Sequence, residues 1–449
     1  MTMRTLVLLS FGLLAAACAD APESEIGAAD ELAIDGGVSP EPGIRSAGGK
    51  PGGNAGAVRP RRFTLPEVRA RVLERANLDL AAAAIRADEA RGRVTEAGLW
   101  PNPSLLVRQR RVDDLDLFSS GFLEVEVGQP IELGGKRGAR VERAGAELAA
   151  VDEEVRALAA STLRDAESGF FRALRLEREL AEAREEARTT AELEALAVSR
   201  FEAGKDTRIA RLRFEAAAAD ARLAVRDLER RHAEACRALD ELLGAPAGTV
   251  AGVDGALEAG VLGAGERERA QDALAGHPRL RAAEMRATAA DRAVDSATAG
   301  AWPDFTVGLA YERDHDLNEN FLGLLFQLPL PLLNRNQGVR EEAQAAARRA
   351  RKTLEAEALR TRVELEAAFL AYDRANENVA GYARDIIPRL ETSLELTRAA
   401  YAAGKASYLD VLDAHLSLIR SRRARLGHEE ARALAAVEIR YLASGTGER

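Results

Sequence analysis

Apolar and polar positions recur with two different periods along this chain, and the switches between them outline its elements. Over long stretches apolar or small residues return at heptad spacing. Ala358, Leu365, Tyr372, Val379 and Ile386 make one series, and Thr361, Ala368, Ala375, Tyr382 and Leu396 follow a second. A seam of this kind requires a partner helix. A helix of about 65 residues rises about 100 Å, far longer than one globular core needs. Pro388 falls inside such a helix and predicts a local bend there. Elsewhere the period becomes two, the signature of strands. Leu123, Val125 and Val127 alternate with Glu124 and Glu126, and Val307, Leu309 and Tyr311 alternate with Thr306, Gly308 and Ala310. Leu322, Leu324, Phe326 and Leu328 alternate with Gly323, Leu325 and Gln327, so each strand has one apolar face.

The chain repeats itself at an offset of about 200 residues, too long for a solenoid. Leu99-Trp100-Pro101-Asn102-Pro103 answers to Ala301-Trp302-Pro303-Asp304-Phe305. The run from Phe122 to Pro130 answers to that from Phe321 to Pro329, and Phe201-Glu202-Ala203-Gly204-Lys205 answers to Tyr401-Ala402-Ala403-Gly404-Lys405. Each half parses as a helix of about 35 residues, two short strands, a helix of about 65, a break at Gly-Lys and a helix of about 40. The repeats are bounded at 63–250 and 266–445, with 251–265 as connector. Pro101, Pro103 and Pro303 stand where helix passes to strand, because a residue before proline is driven out of helical geometry.

Composition changes the picture mainly at the amino end. Residues 1–18 combine a short basic start, an apolar core from Leu6 to Leu14 and Ala15-Ala16-Ala17-Cys18, which predicts export and lipidation of Cys18. Ala15 stands where a lipobox usually has Leu, and cleavage after Ala17 as an ordinary signal peptide is the alternative. Residues 19–62, rich in Gly, Ala and Pro, read as a flexible periplasmic tether. Besides Cys18 there is only Cys236, so no intramolecular disulfide can form in the mature chain, and Cys236 reads as a packed thiol. The net charge of −9, with 63 basic and 72 acidic residues, gives no bias toward nucleic acid.

Four half-apolar strands cannot close a barrel, and an open sheet edge is not tolerated in hydrocarbon. Several chains must combine, and three would give twelve strands, an even number within the range of outer-membrane barrels. The expected fold class is therefore α plus transmembrane β: a long α-helical barrel continuous with a twelve-stranded β-barrel assembled from three chains, four strands each.

With its helix, W-P-N-P, strands, the run Gly128 to Arg137 and the Gly-Lys hairpin, the chain resembles the outer-membrane efflux proteins of the TolC family. The run Leu328-Pro329-Leu330-Pro331-Leu332-Leu333-Asn334-Arg335-Asn336-Gln337-Gly338 is similar to the heavy-metal branch, which serves cobalt–zinc–cadmium and copper–silver pumps. The resemblance spans Phe63 to Ser444 and implies a passive homotrimeric conduit in the outer membrane, extending into the periplasm. It implies docking through a periplasmic adaptor to an inner-membrane pump of the resistance-nodulation-division class, with no catalysis and no cofactor. A multidrug or type I secretion duct is the alternative within the family.

Gly404 reads as a helix break permitting a tight turn, and Asp410 and Asp413 lie in the first turns of the helix after it, where a carboxylate caps and complements the dipole. The resemblance adds a second role: matching aspartates ring the periplasmic mouth, so Asp410 and Asp413 would form the gate. Gly204, Lys205, Ile209, Gly404, Lys405 and Leu409 would be the hairpin tips that dock the adaptor. The first repeat places Ala210 opposite Asp410, which makes the gate asymmetric and leaves Arg208 or Arg211 as candidate partners for the aspartates. No two of the five histidines have helical metal-site spacing, and Asp314-His315-Asp316 reads as a solvated loop, so no resident metal is expected. A periplasmic adaptor would carry lipoyl-like half-motifs, which are missing. A structural coiled-coil lipoprotein would not need four amphipathic strands at matching points of a duplication.

Overall fold

The computed structural model describes residues 60–74, 77–110, 121–204, 207–263 and 265–444. The leader, Cys18 and Lys205 lie outside the described residues, as does nearly all of the expected tether. Each repeat begins with two short helices rather than the single helix of about 35 residues that its periodicity suggested. In the first repeat these are α1 (Leu65–Leu73) and α2 (Leu78–Gly98). The break is chemical: the Asn77 side-chain oxygen accepts from the backbone N–H groups of Asp79 and Leu80 at 2.9 and 3.3 Å, capping a new helix. In the second repeat α5 (Glu266–Ala273) gives way to α6 (Pro278–Ala299) at His277, whose Nδ1 accepts from the Arg279 N–H at 3.3 Å. Pro278 opens α6 and excludes His277 from it.

The long helices follow. α3 (Lys136–Glu202) runs 67 residues without interruption and turns at Gly204 into α4 (Arg208–Leu242). Its counterpart in the second repeat is divided into α7 (Gln337–Gly381), a π turn at Tyr382–Ile386, and α8 (Ile387–Ala402), followed by α9 (Tyr408–Leu442). The π turn corrects the heptad expectation. Leu365, Tyr372 and Val379 are buried, but the seam then continues through Ile387, Leu394 and Tyr401, one residue later than a strict heptad. Ile386 and Leu396 are exposed instead, the latter at 66%, and Ala358 is exposed too. A π turn holds one extra residue, which rotates everything after it by about 100°. Pro388, where the pattern predicts a local bend, follows this turn directly: the Ile387 N–H reaches back to the Tyr382 carbonyl, one step beyond the helical partner.

Two sheets accompany the helices. Strands β2 (Ser104–Arg110), β3 (Phe122–Ile131), β5 (Phe305–Asp314) and β6 (Glu319–Gln327) form one antiparallel sheet in that order. Strand β1 (Arg61–Thr64) pairs in parallel with β4 (Val250–Asp254), so the ends of the expected tether and connector both contribute structure. The largest buried cluster surrounds this small pair. Phe63 and Val253 pack with Val68 and Val72 of α1, Phe170 and Phe171 of α3, and Leu239 of α4. Phe170 and Phe171 meet edge to face at 5.5 Å. Asp240 closes the turn into β4 by accepting from the N–H groups of Gly248 and Val250, both at 2.7 Å. Cys236 packs in the same cluster, and burial pushes its thiol up to about 11.

Candidate functional site

Helix α3 ends at Gly204 (φ 68°) and α8 at Gly404 (φ 73°), left-handed positions that favour glycine. Beyond them, Thr207 caps α4 by accepting from the Ala210 N–H at 3.2 Å. Ser407 caps α9 with a reciprocal box: its backbone N–H and hydroxyl donate to Asp410 Oδ2 at 2.7 and 2.8 Å, and its Oγ accepts from the Asp410 N–H at 3.3 Å. These bonds favour the charged form and hold the Asp410 carboxyl below the usual carboxylate range. Asp413 is exposed and has no hydrogen bond or ion pair among the described residues. The two aspartates thus differ: Asp410 serves the cap, and Asp413 stands exposed with no partner among the described residues.

The hairpins lie side by side, which the pattern did not foretell. Phe214 of α4 meets Tyr408 of α9 edge to face at 5.9 Å, and the Arg200 guanidinium of α3 lies 4.7 Å from the Tyr401 ring centroid of α8. Ile209, Leu212 and Leu409 present exposed apolar side chains near the tips. Arg211 does not serve the aspartates: its Nε donates to Glu215 at 2.7 Å and its guanidinium covers the Phe201 ring. The nearer helical partner at i+4 captures it. Arg208 is exposed, with no carboxylate partner among the described residues. Arg213, a residue the sequence reading passed over, occupies the place of Asp413 at the same offset. It too is exposed and without a carboxylate partner among the described residues, so the repeats carry opposite charges there.

At the other end the register sorts the large sheet into two faces, because residues directly opposite in an antiparallel pair point the same way. Leu105, Val127, Leu309 and Leu324 form one row, and Val107, Val125, Tyr311 and Leu322 another on the same face. The opposite face carries Arg108, Glu124 and Glu312 in one row and Glu126, Ala310 and Gly323 in the next. There Arg108 and Arg110 both donate to Glu124, at 2.7 and 2.9 Å. Phe321 and Leu106 are apolar exceptions in these rows, and Phe122 and Leu325 lie on the same face. Among the described residues, strands β2 and β6 each pair on one side only. Pro101 and Pro103 lie between α2 and β2, and Pro303 between α6 and β5. No described helix is long and apolar enough to cross a membrane.

A four-stranded sheet joined to paired helices in each of two repeats is matched in known proteins. Residues 71–245 and 270–445 match the outer membrane efflux protein family, one match to each repeat. The chain belongs to this family. The cobalt-zinc-cadmium resistance protein CzcC of Cupriavidus metallidurans is 29% identical over 364 residues, covering 78% of this chain and 83% of that protein. The solved CusC channel shares the fold with a TM-score of 0.73 at 20% identity, over 85% of this chain and 92% of that one. VceC of Vibrio cholerae does so with a TM-score of 0.70 at 20% identity, over 85% and 97%. Its family is one of efflux proteins, not of enzymes, and within it the chain resembles CzcC in sequence and CusC in fold. Among its described residues no group of three or more His, Cys, Asp or Glu side chains could hold a metal ion. Asp314 is committed to its own turn, accepting from the N–H groups of Asp316 and Leu317 at 2.9 and 3.1 Å.

Proposed function

We propose that three copies of this efflux protein close a twelve-stranded barrel in the outer membrane, β6 of each chain pairing with β2 of the next. The reading rests on one observation above all: an apolar sheet face bounded by two unpaired edges, which hydrocarbon does not tolerate. The helices continuing from these strands wall a tube that reaches into the periplasm, and a lipid on Cys18 adds a second anchor. At the far end the tips around Gly204, Ile209, Gly404 and Leu409, with Lys205 and Lys405, dock a periplasmic adaptor that couples the duct to an inner-membrane pump of the resistance-nodulation-division class. Asp410 and Asp413 ring the mouth, Asp410 held in the Ser407 cap and Asp413 supplying the carboxylate that concentrates cations.

The cargo proposed is heavy-metal cations, supported by the likeness to a cobalt-zinc-cadmium resistance protein. The duct is passive, and selection belongs to the pump. Deleting the gene should lower tolerance to zinc, cobalt, cadmium, copper or silver, and an effect confined to organic drugs would overturn the metal assignment. Purified in detergent, the protein should run as a trimer and keep its β signal. A monomer of rod-like helices would sink the barrel.

A further inference from the structure

One pair of soft donor atoms lies outside everything the channel reading uses. His232 and Cys236 stand one helical turn apart on α4, so their side chains share a face. The Cys236 Sγ and the His232 Nε2 are 3.6 Å apart. Cys236 is 4% exposed, within the largest buried cluster, while the His232 side chain keeps 16% of its surface open. The pair is covered on the sulfur side and reachable past the imidazole. The chain's other cysteine, Cys18, belongs to the expected leader.

Packing alone does not demand these residues. At the offset of 200 the second repeat has Arg432 and Ala436 in their places, and Ala436 is fully buried with no sulfur. Nor is Glu177 of α3 a third donor, although its Oε2 lies 3.9 Å from the His232 Nε2. Its Oε1 accepts from Arg62 at 2.5 Å and its Oε2 from the Val253 N–H at 3.4 Å. Arg62 also donates to Asp254 at 2.7 Å, so these charges are already engaged with one another.

We infer that Cys236 and His232 form a two-coordinate site for a soft monovalent cation of the copper(I) and silver(I) class. The site stands apart from the barrel and cargo readings, since it lies among the packed helices whatever passes through the duct. Thiolate sulfur and imidazole nitrogen suit such ions, and closed-shell monovalent cations are content with two ligands at a wide angle. Bonds of about 2.3 Å to sulfur and about 2.0 Å to nitrogen set the donors at most about 4.3 Å apart, which a small rotation of the thiol reaches. Charge favours a monovalent ion. On binding, the S–H bond breaks, sulfur–metal and metal–nitrogen bonds form, and the proton leaves to solvent, so one positive charge replaces another and no electron is transferred. A divalent ion would add an uncompensated positive charge in a covered place near Arg62. Burial pushes the free thiol up to about 11, which keeps it protonated and sheltered from oxidants until a metal displaces the proton. Histidine spacing could not reveal the site, because one of its donors is a cysteine.

The test titrates the full chain, purified in detergent, with silver nitrate in buffer free of chloride and thiols. The unaltered protein should bind one silver ion per chain and release one proton, and X-ray absorption at the silver edge should show one sulfur and one nitrogen neighbour. Cys236→Ala, which copies Ala436, should abolish this binding. His232→Gln should weaken it by at least about tenfold, no less than the loss of an outer-shell partner costs at metal sites. Excess zinc should not displace the silver. Equal binding by the unaltered protein and Cys236→Ala would leave only a packed thiol. Unchanged affinity in His232→Gln, or sulfur as the only neighbour, would mean that the thiol acts alone, and displacement by zinc would mean a divalent site; each of these overturns the assignment. The absorption spectrum is read on the unaltered protein, so it decides even where a variant fails to fold. Silver bound at this pair in a protein whose deletion affects only organic drugs would keep the site and reject the metal cargo.

Discussion

At corresponding places the two repeats meet the same structural need with different chemistry. The break between the two short leading helices is capped by Asn77 in one and by His277 in the other. The long helix is continuous in α3 but carries a π turn between α7 and α8. At the tips a lone Thr207 answers to Ser407 with Asp410, and Arg213 answers to Asp413. The two repeats therefore keep the same order of elements but differ in side chains and in local helix geometry. The second repeat collected the two buried histidines whose burial lowers their titration, the irregular turn and the tip carboxylates.

The largest effect should come from acid. His277 is fully buried against the Tyr441 ring, with Arg279 and Arg164 nearby, and burial lowers it from 6.5 to about 4. His415, buried near Arg398 and Arg422, is also lowered to about 4. Below the ordinary value the unfolded chain takes up these protons and the folded one does not. Stability is then full above pH 6.5 and declines as the pH falls toward about 4, by roughly 3 kcal/mol for each histidine at the limit. Thermal unfolding across this window measures it. His277→Asn, which installs the first repeat's cap, should flatten the slope, as should His415→Leu, and an unchanged slope in both would refute the assignment.

A register test comes next. In α3 the buried positions Leu176, Ala183, Thr190 and Ala197 keep a strict heptad, so deleting the exposed Ala181 rotates the last three off the seam. The expected loss is on the order of 3 kcal/mol. In the second repeat, deleting Ala383 together with Pro388→Ala should be tolerated, because removing the extra residue returns Ile387, Leu394 and Tyr401 to heptad spacing. Equal losses from the two deletions would show that the π turn does not carry the register. This contrast also marks what the sequence could reveal. Three of the four long strands were legible from alternation in Leu123–Val127, Thr306–Tyr311 and Leu322–Leu328, whereas β2, with Leu105-Leu106-Val107 followed by Arg108-Gln109-Arg110, was reached only through the duplication. Strands β1 and β4 were not, since four or five residues hold too little alternation to register. A seam displaced by one residue at Ile387 leaves apolar neighbours at both Ile386 and Ile387, and only packing distinguishes them.

A smaller difference is expected at the caps. Ser407→Ala removes the serine hydroxyl from the reciprocal box and should cost about 1 kcal/mol, while Thr207→Ala removes one longer bond and should cost less. Amide hydrogen exchange in the first turns of α9 and α4 reads this locally. Faster exchange in α4 than in α9 after the respective changes would reverse the ranking.

The smallest effect on stability, and the most informative for transport, should come from the opposed charges at the mouth. The sequence led to Asp410 and Asp413 together, yet the hydrogen bonds separate them: Asp410 is held by Ser407, whereas Asp413 is unpaired among the described residues. Asp413→Asn and Arg213→Asn should each change stability by less than about 0.5 kcal/mol, since exposed unpaired charges contribute little. Their effects on current should have opposite signs. In the proposed trimeric mouth, losing Asp413 would remove three carboxylates and should weaken block by multivalent cations, while losing Arg213 would remove three positive charges and should strengthen it. Both shifts should shrink at high salt, where exposed charges are screened. Single-channel recordings with a trivalent blocker decide the matter. If Asp410→Asn relieved block as much as Asp413→Asn does, the division of labour between cap and gate would be wrong.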